Sequence, residues 1–311
     1  MLFPGQGSQS VGMLAALAAA EPVVQETFAA ASGILGYDLW ELCQRGPESR
    51  LSETAHTQPA MLAAGIAAWR AWRRQGGPQP AWFAGHSLGE FSALVAAGSI
   101  DFSDAIALVR FRGEAMQRAV PAGSGAMAAI LGLDDAVIEA ACQEAAQGAV
   151  VQPANYNSQG QLVIAGEAGA VERAMELCKA RGAKRALLLP VSVPSHSALM
   201  KPAAEALQAR LAGLDIRAPA ARVFAFDGGT YADADSIRDG LYRQLFNPVR
   251  WSAIVVAMIA EGATTLVECG PGKVLSGLAR RAPGGRELAL HAIESPETLA
   301  AARAAAGSGT S

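Results

Sequence analysis

The feature that most constrains this 311-residue chain is a pentapeptide, Gly85-His86-Ser87-Leu88-Gly89, that joins an apolar run to a helix-like segment. Residues 81–84 have the composition of a buried strand, and residues 91–97 continue as a helix. A strand, a sharp turn with a central serine and a helix form a nucleophile elbow, in which a glycine two residues to either side lets strand and helix approach closely. The serine is then held at the apex in a strained backbone conformation.

An elbow of this kind is suited to acyl transfer. The helix that begins beneath Ser87 points free N–H groups and the positive end of its dipole at an oxyanion formed on the serine ester, and the Leu88 N–H is the first donor. The alternative is a tight turn with an inert serine, so the assignment depends on whether the chain supplies a base.

A serine hydroxyl is a weak nucleophile and needs a base within hydrogen-bond reach. Of the four histidines, His86 is expected to project away from Ser87 by strand alternation, and His56 and His291 have no special setting. His196 follows an apolar strand, lies in a loop with prolines and comes after the serine in the chain, as in other elbow enzymes. We therefore predict that His196 is the base, and that transfer falls as the pH drops through the histidine range near about 6.5. The acid that would orient it stays open, because three aspartates are predicted to be helix caps: Asp101, Asp104 and Asp134.

The order of elements predicts two structural units. Residues 123–191 contain strand, helix, strand, strand, helix and strand, which is the split pattern of a ferredoxin-like subdomain. Residues 1–122 and 192–299 are expected to form a discontinuous α/β core, similar to an α/β-hydrolase, with a parallel sheet that carries the elbow. The Ala- and Gly-rich tail, residues 300–311, is expected to fray.

Composition excludes several classes of protein. A net charge of −3 gives no basic footprint for nucleic acid, and no apolar run approaches the length of a membrane-spanning helix. The cysteines lie far apart and predict neither a disulfide framework nor a zinc site: Cys43, Cys142, Cys178 and Cys269. We therefore expect a cytoplasmic protein that binds no metal, nucleic acid or membrane.

Seven short motifs occur in an order that is typical of one enzyme family. They lie between residue 3 and about residue 280 and are Gly5-Gln6-Gly7-Ser8-Gln9, Thr57-Gln58-Pro59-Ala60, Gly85-His86-Ser87-Leu88-Gly89-Glu90, Arg112-Gly113, Val193-Pro194-Ser195-His196, Asn247-Pro248-Val249 and Gly270-Pro271-Gly272-Lys273. With these motifs the chain resembles the bacterial malonyl-CoA:acyl carrier protein transacylases of fatty-acid synthesis.

The resemblance implies a set of catalytic residues. In that family the serine carries the acyl group, the histidine is the base, and a glutamine carbonyl orients the histidine where other enzymes use a carboxylate. By position these residues are Ser87, His196 and Gln244. The same comparison makes the Gln6 N–H the second oxyanion donor beside that of Leu88.

The resemblance also implies how the acyl group is chosen. Arg112 is expected to bind the malonyl carboxylate, and Gln58 is expected to line the same pocket. A planar guanidinium can hold a carboxylate through two parallel hydrogen bonds. The apolar neighbours of Arg112 in its helix fit a buried position.

The implied reaction is a ping-pong transfer from malonyl-CoA, through a serine ester, to the phosphopantetheine thiol of acyl carrier protein. The CoA thioester is a substrate, no cofactor is expected, and we expect a monomer. A malonyl loader for a polyketide or malonate decarboxylase system is the alternative, and an esterase or thioesterase is a weaker one. A basic cluster is either a carrier-protein docking site or a solvated face: Lys179, Arg181, Lys184 and Arg185.

The chain departs from the family in two places. The family's first strand begins several residues earlier, so we expect the strand before Gln6 to be short. The segment Phe224-Ala225-Phe226 stands where the family usually has asparagines, and we expect the loss of a polar contact near the active site.

Overall fold

The computed structural model describes residues 1–191 and 193–307, and its strands form two separate sheets. In chain order the strands are β1 Leu2–Phe3, β2 Trp82–Gly85, β3 Gly125–Leu131, β4 Val151–Ser158, β5 Gln161–Glu167, β6 Arg185–Leu188, β7 Arg222–Val223, β8 Thr265–Cys269 and β9 Ala289–Ile293. One sheet has five strands in the order β7-β2-β1-β8-β9, and the other has four in the order β4-β5-β3-β6.

Helices surround the five-stranded sheet and cover the four-stranded one. In chain order they are α1 Ala15–Ala20, α2 Pro22–Leu35, α3 Leu39–Arg45, α4 Glu48–Leu51, α5 Thr54–Arg74, α6 Gly89–Ala96, α7 Phe102–Ala119, α8 Asp135–Ala146, α9 Ala168–Ala180, α10 Lys201–Leu211, α11 Ala234–Gln244, α12 Trp251–Ala260, α13 Val274–Ala279 and α14 Pro296–Gly307. Single 3₁₀ turns lie at Ala198–Met200 and Gly285–Glu287. In the described part of the chain, no helix is both long and apolar enough to cross a membrane.

The five-stranded sheet is parallel and buried on both faces. Phe3 and Phe83 belong to one apolar cluster, whereas Leu2 and Ala84 belong to a second cluster on the opposite face. This alternation follows from the two-residue period of a strand, and strands buried on both faces are typical of parallel sheets. All paired strands run in the same direction, so their carboxyl ends meet at one edge, where the loops after β1 and β2 lie side by side.

The first strand is short, as expected from the sequence. It contains only Leu2 and Phe3, but it pairs with β2 on one side and with β8 on the other. The Met1 amino group donates a hydrogen bond to the Trp82 carbonyl at 2.8 Å, which continues the pairing by one residue. The strand therefore holds the following loop, with Gln6, close to the elbow.

The four-stranded sheet has the ferredoxin-like arrangement that the sequence predicts. It is antiparallel, and its order places the first and last strands of the βαββαβ unit, β3 and β6, next to each other. Helices α8 and α9 bury an apolar cluster against one face of this sheet. The architecture is thus a large α/β core with a parallel sheet and a smaller ferredoxin-like subdomain; the boundaries at residues 123 and 191 stay a prediction.

Strand β4 connects the small sheet to the core. Asn155 forms an isolated parallel bridge with Val249, and the flanking backbone bonds run from Tyr156 N to Val249 O and from Val249 N to Ala154 O, both at 2.9 Å. The opposite face of the sheet from α8 and α9 carries a small apolar cluster that includes Met127. This face closes over the edge where β1 and β2 end.

The carboxyl-terminal segment differs from the expectation. Residues 300–307 do not fray but form the end of α14, because Leu299 and Ala302 are buried against the core. The expectation fails because alanine, which makes the segment look featureless, is also the strongest helix former. The remainder of the expected tail, residues 308–311, lies outside the described residues.

Candidate active site

Ser87 lies at the apex of the predicted elbow. Its φ of 53° is in the left-handed region, which costs a residue with a Cβ about 1–2 kcal/mol. A Cβ on Gly85 would lie 1.9 Å from the Gly89 carbonyl carbon, and one on Gly89 would lie 2.0 Å from the Phe3 carbonyl oxygen. Both glycines are therefore required sterically, and the strand–turn–helix prediction is confirmed.

His196 is the histidine that the fold brings to Ser87. Its Nε2 lies 2.7 Å from Ser87 Oγ, and its Nδ1 lies 2.8 Å from the backbone carbonyl oxygen of Gln244. A carbonyl can only accept, so Nδ1 carries the proton and Nε2 is left as the acceptor. His196 is also in the left-handed region, with φ of 62°, and its backbone N–H donates to the Leu245 carbonyl at 2.9 Å.

The imidazole of His196 is held in its neutral form. Burial, together with the charge of the Arg112 guanidinium, lowers the pKa of His196 to about 3. The hydrogen bond to the Gln244 carbonyl acts in the opposite direction but does not restore the usual value. At neutral pH this group can accept a proton from Ser87 without first losing one.

In the described part of the chain, the other three histidines form no hydrogen bond with the Ser87 hydroxyl. His86 turns away from Ser87, its Nε2 is 2.8 Å from Asn157 Oδ1, and its ring packs edge-on against Trp251. His56 lies in the first turn of α5, with its Nδ1 3.1 Å from Glu53 Oε2, and His291 lies in strand β9. Strand alternation therefore gave the correct direction for His86.

Ser87 and His196 open into a cavity of about 120 Å³ between the two sheets. Its lining residues come from both units: Gln6, Thr54, His86, Ser87, Leu88, Arg112, Met116, Met127, Asn155, Leu189, Val191, Val193, Ser195 and His196. Among the described residues, the N–H groups of Gln6 and Leu88 donate to no backbone carbonyl in the turns and loops. Two amide donors beside a serine hydroxyl are the arrangement that stabilises an oxyanion.

Arg112 reaches this cavity from α7 and is 2 % exposed. Its Nη1 donates to Gln58 Oε1 at 2.9 Å, and its Nη2 donates to Gln244 Oε1 at 3.0 Å. A guanidinium has five N–H donors, so these two bonds leave three unused. Within the described part of the chain, the buried Nε has no acceptor. Burial lowers the pKa of Arg112 to about 10, so the group stays charged at neutral pH.

Gln58 is placed differently from the expectation. It was expected to line the pocket, but it is 1 % exposed and lies behind Arg112, with its Nε2 3.4 Å from Met116 Sδ. Its amide oxygen holds the guanidinium, so its contact with a ligand would be through Arg112. The difference arises because Gln58 and Arg112 lie on two helices, α5 and α7, that pack directly against each other.

Gln244 contacts the site with both its backbone and its side chain. The backbone carbonyl accepts from His196, while the side-chain Nε2 donates to the Ser87 carbonyl at 3.0 Å and to Glu90 Oε2 at 2.6 Å. Glu90 also accepts a hydrogen bond from the Tyr231 hydroxyl. Sequence reasoning missed Glu90 and Tyr231, although a carboxyl in the otherwise apolar first turn of the elbow helix was a usable signal.

Two further expectations from the sequence concern metal binding and the segment 224–226. In residues 1–191 and 193–307, no three His, Cys, Asp or Glu side chains lie close enough together to hold a metal ion. Phe224 and Phe226, which stand where asparagines were expected, are buried in the second apolar cluster of the core.

Comparison with known proteins agrees with this geometry. Residues 1–283 match the acyl transferase domain family. The malonyl CoA-acyl carrier protein transacylase of Escherichia coli strain K12 is 58 % identical over 302 residues, which cover 97 % of each chain. A solved acyl carrier protein S-malonyltransferase from Vibrio cholerae is 57 % identical with a TM-score of 0.94, over 96 % of this chain and 98 % of that one.

A second solved structure carries a partner. It is a malonyl-transacylase in complex with the holo acyl-carrier protein of a type II polyketide synthase, and it is 54 % identical with a TM-score of 0.96 over 98 % of both chains. The resemblance found in the sequence is therefore confirmed at the level of sequence and of fold. The chain belongs to the acyl transferase family.

Proposed function

We propose that this protein moves a malonyl group from malonyl-CoA, through an ester on Ser87, to the phosphopantetheine thiol of acyl carrier protein for fatty-acid biosynthesis. The observation that carries the proposal is the buried Arg112 guanidinium, which has unused N–H donors in the same cavity as Ser87 and His196. A cation buried there needs an anionic partner, and a malonyl carboxylate supplies one.

The first half-reaction acylates the serine. Ser87 Oγ attacks the thioester carbonyl while His196 Nε2 takes its proton, and the Gln244 carbonyl stabilises the resulting imidazolium through Nδ1–H. The oxyanion accepts hydrogen bonds from the Gln6 and Leu88 N–H groups. When the tetrahedral intermediate collapses, the C–S bond breaks and the imidazolium returns its proton to the CoA sulfur.

The second half-reaction runs the same steps in reverse with a different thiol. His196 takes the proton of the phosphopantetheine thiol, the sulfur attacks the ester, and Ser87 Oγ leaves with the proton that His196 held. Each step uses groups of the chain, of the thioester donor and of the thiol acceptor, so the proposed mechanism has no resident cofactor. The monomeric state and cytoplasmic location expected from the sequence stay predictions.

The alternatives differ in the acceptor of the acyl group. An esterase or thioesterase delivers the acyl group to water, and such an enzyme has no use for a buried arginine that holds a second carboxylate. A malonyl loader of a polyketide or malonate decarboxylase system would use the same site and the same chemistry, with a different carrier protein.

The test compares acceptors directly. The protein is mixed with malonyl-CoA and followed by intact mass, which is expected to show one added malonyl group, and holo acyl carrier protein is then added. Loss of the adduct with equal gain of malonyl-carrier protein supports the proposal. Loss of the adduct to free malonate at the same rate with and without carrier protein would favour the esterase.

The pH dependence follows from the pKa of His196. Because that pKa is lowered to about 3, the imidazole is already neutral at pH 5, and the single-turnover acylation rate at saturating malonyl-CoA is expected not to fall between pH 7 and pH 5. This replaces the fall near 6.5 expected from the sequence. Removing the charge in Arg112→Ala favours the imidazolium, so the acid limb is expected to move to higher pH. A wild-type rate that halves near the usual histidine pKa would contradict the neutral base.

Part of the basic cluster is already paired. Lys179 Nζ lies 2.8 Å from Glu176 Oε1, and the Arg181 guanidinium contacts Glu144. Each of these charges is balanced by a neighbouring carboxylate, and solvent-exposed ion pairs of this kind contribute little to stability. They are therefore poor candidates for a docking site.

The other half of the cluster has a different setting. In the described part of the chain neither Lys184 nor Arg185 forms an ion pair. They precede Leu187 and Leu188 on the edge strand β6, and these two side chains are 48 % and 58 % exposed. The chain then continues to Leu189, which lines the cavity. Basic and apolar side chains that lead to the active site fit an acidic carrier protein.

Charge reversal tests this docking surface. The double variant Lys184→Glu, Arg185→Glu is expected to raise the KM for carrier protein about tenfold, the effect of about 1.4 kcal/mol, while acylation by malonyl-CoA is unchanged. The control reverses two exposed arginines outside the small sheet, Arg74 at the end of α5 and Arg286 in the 3₁₀ turn before β9. An equal rise in KM for both double variants would contradict docking at Lys184 and Arg185 and would indicate that these residues belong to a solvated face.

A further inference from the structure

Glu90 is a buried carboxyl beside the active site that the proposed mechanism does not use. It is the second residue of α6, directly below the elbow, and it is fully buried. One oxygen accepts from the Tyr231 hydroxyl and the other accepts from Gln244 Nε2 at 2.6 Å. A buried carboxyl is costly unless its oxygens are satisfied and its charge is balanced, so its presence here requires a reason.

A hydrogen-bonded chain links this carboxyl to the guanidinium. Glu90 Oε2 accepts from Gln244 Nε2, and Gln244 Oε1 accepts from Arg112 Nη2 at 3.0 Å. The Gln244 amide therefore points its positive end at a carboxyl and its negative end at a cation. If the amide were flipped, it would present N–H groups to Arg112 and an oxygen to Glu90, and both contacts would become repulsive. Glu90 thus fixes the direction of the amide, and the amide fixes the guanidinium.

The charges around Arg112 are few. In the described part of the chain it has no direct ion pair, and Glu90 is the acid whose charge acts on it. The titratable and charged groups that face Glu90 are Tyr231 and Asp227 from the loop after β7, Arg112 from α7, and Arg243, which pairs with Asp227 at 3.5 Å. Among the described residues, Glu90 is therefore the counter-charge of Arg112, and the two are linked through the Gln244 amide.

We propose that Glu90 is a positioning residue for acyl-group selection: it holds Arg112 through Gln244, and a malonyl carboxylate replaces it as counter-ion while Glu90 takes up one proton from solvent. This inference rests on the proposed function, because it requires a malonyl group at Arg112. Two carboxylates on one buried guanidinium repel each other, and protonation of the inner one removes that repulsion.

The ionisation of Glu90 is suited to such an exchange. Burial raises the pKa of Glu90 to about 7, and the hydrogen bonds from Tyr231 and Gln244 act against that rise. A second carboxylate at Arg112 raises this pKa further, so the acylated enzyme binds more protons than the free enzyme. By linkage, malonyl binding is strongest below pH 7, where Glu90 is protonated in both the free and the acylated enzyme. It weakens as the pH rises through the pKa of Glu90 in the free enzyme and then through its higher pKa in the acylated enzyme. An acetyl group has no carboxylate and leaves Glu90 unchanged.

The experiment measures protons released or taken up during acylation. Wild-type protein is mixed with malonyl-CoA in weakly buffered indicator solution at pH 7.5, with intact mass taken in parallel. We expect uptake of a substantial fraction of one proton per malonyl-enzyme formed, and none per acetyl-enzyme when acetyl-CoA is used. Conversion of serine and thioester to ester and thiol is itself proton-neutral, and the acetyl arm controls for it.

Two variants separate positioning from a merely structural role. In Glu90→Gln the uptake is expected to vanish. In the wild type, the ratio of kcat/KM for malonyl-CoA to that for acetyl-CoA is expected to fall about tenfold between pH 6 and pH 9, as a one-unit pKa change implies, and in the variant this ratio is expected to be level. Tyr231→Phe removes a hydrogen bond that lowers the pKa of Glu90, so this pKa rises in the variant. The ratio of malonyl to acetyl kcat/KM is therefore expected to fall at higher pH than in the wild type.

The outcomes distinguish the two proposals. Absence of any malonyl adduct would overturn the proposed function. A malonyl adduct that forms without proton uptake, or with equal uptake for acetyl-CoA, would overturn the role of Glu90 and leave the function standing. The wild-type proton measurement decides this even if Glu90→Gln does not fold.

Discussion

Replacing Ser87 with alanine is expected to abolish the malonyl-enzyme and to lower transfer to carrier protein by a factor of about 10⁴ or more, as found when nucleophile and base act as one unit. The physical reason is that Ser87 Oγ lies 2.7 Å from the neutral base and beside the free N–H groups of Gln6 and Leu88. Without it, no other group receives all three contributions. Intact mass after mixing with malonyl-CoA, and the rate of malonyl-carrier protein formation, give the two readouts.

The variant also has an informative control. Alanine and serine pay the same steric cost at a φ of 53°, so the thermal unfolding midpoint of Ser87→Ala is expected to stay near that of the wild type. Ser103→Ala removes an exposed hydroxyl from the first turn of α7 and is expected to keep the adduct. A malonyl adduct on the Ser87→Ala protein would contradict the assignment, and peptide mapping would locate the true nucleophile.

Replacing Arg112 with alanine is expected to collapse the selection of malonyl over acetyl groups. The malonyl carboxylate would sit in a buried pocket without a partner, at a cost of about 3–5 kcal/mol. Each 1.4 kcal/mol is about tenfold, so kcat/KM for malonyl-CoA is expected to fall by roughly 10² to 10³ or more. Acetyl-CoA does not need the cation, so its turnover is expected to hold or rise. Steady-state kinetics with both substrates measure the ratio.

Arg110 provides the matched control for this change. It lies on the same helix two residues earlier, but it is partly exposed and pairs with Glu114 at 3.0 Å. Arg110→Ala is therefore expected to keep the ratio of malonyl to acetyl turnover. If Arg112→Ala lowers both activities by the same factor, the guanidinium supports the fold, and malonyl recognition lies elsewhere in the cavity.

The local parts of this site could be predicted from sequence because short-range sterics decide them. The spacing of Gly85, Ser87 and Gly89 predicts the elbow, and the structure shows two backbone contacts that only glycine permits. The alternation of strand residues predicts that His86 turns away, and the order of elements predicts the ferredoxin-like sheet. Each of these follows from a pattern of a few residues, with no need to know what packs against it.

The long-range parts could not be derived in that way. No sequence pattern shows that a backbone carbonyl at Gln244 faces His196, because main-chain oxygens occur at every position. Gln58 also required the packing of α5 against α7 before its place behind Arg112 was clear. The positive φ of His196 gave no signal, since the residue is neither glycine nor asparagine. These contacts depend on how helices distant in sequence meet, and there the family resemblance supplied what local physics did not.

The two separate uses of Gln244 affect how such an enzyme can evolve. The base is oriented by a main-chain oxygen, which every amino acid carries, so substitution at this position does not by itself delete the contact with His196. The side chain, by contrast, contacts Arg112 and Glu90, the groups concerned with the acyl substituent, and it also donates to the Ser87 carbonyl. Substitutions at this position are therefore expected to change the range of acyl groups while the main-chain contact that orients the base is kept. Enzymes with this fold can in this way acquire new acyl donors and keep the same chemistry.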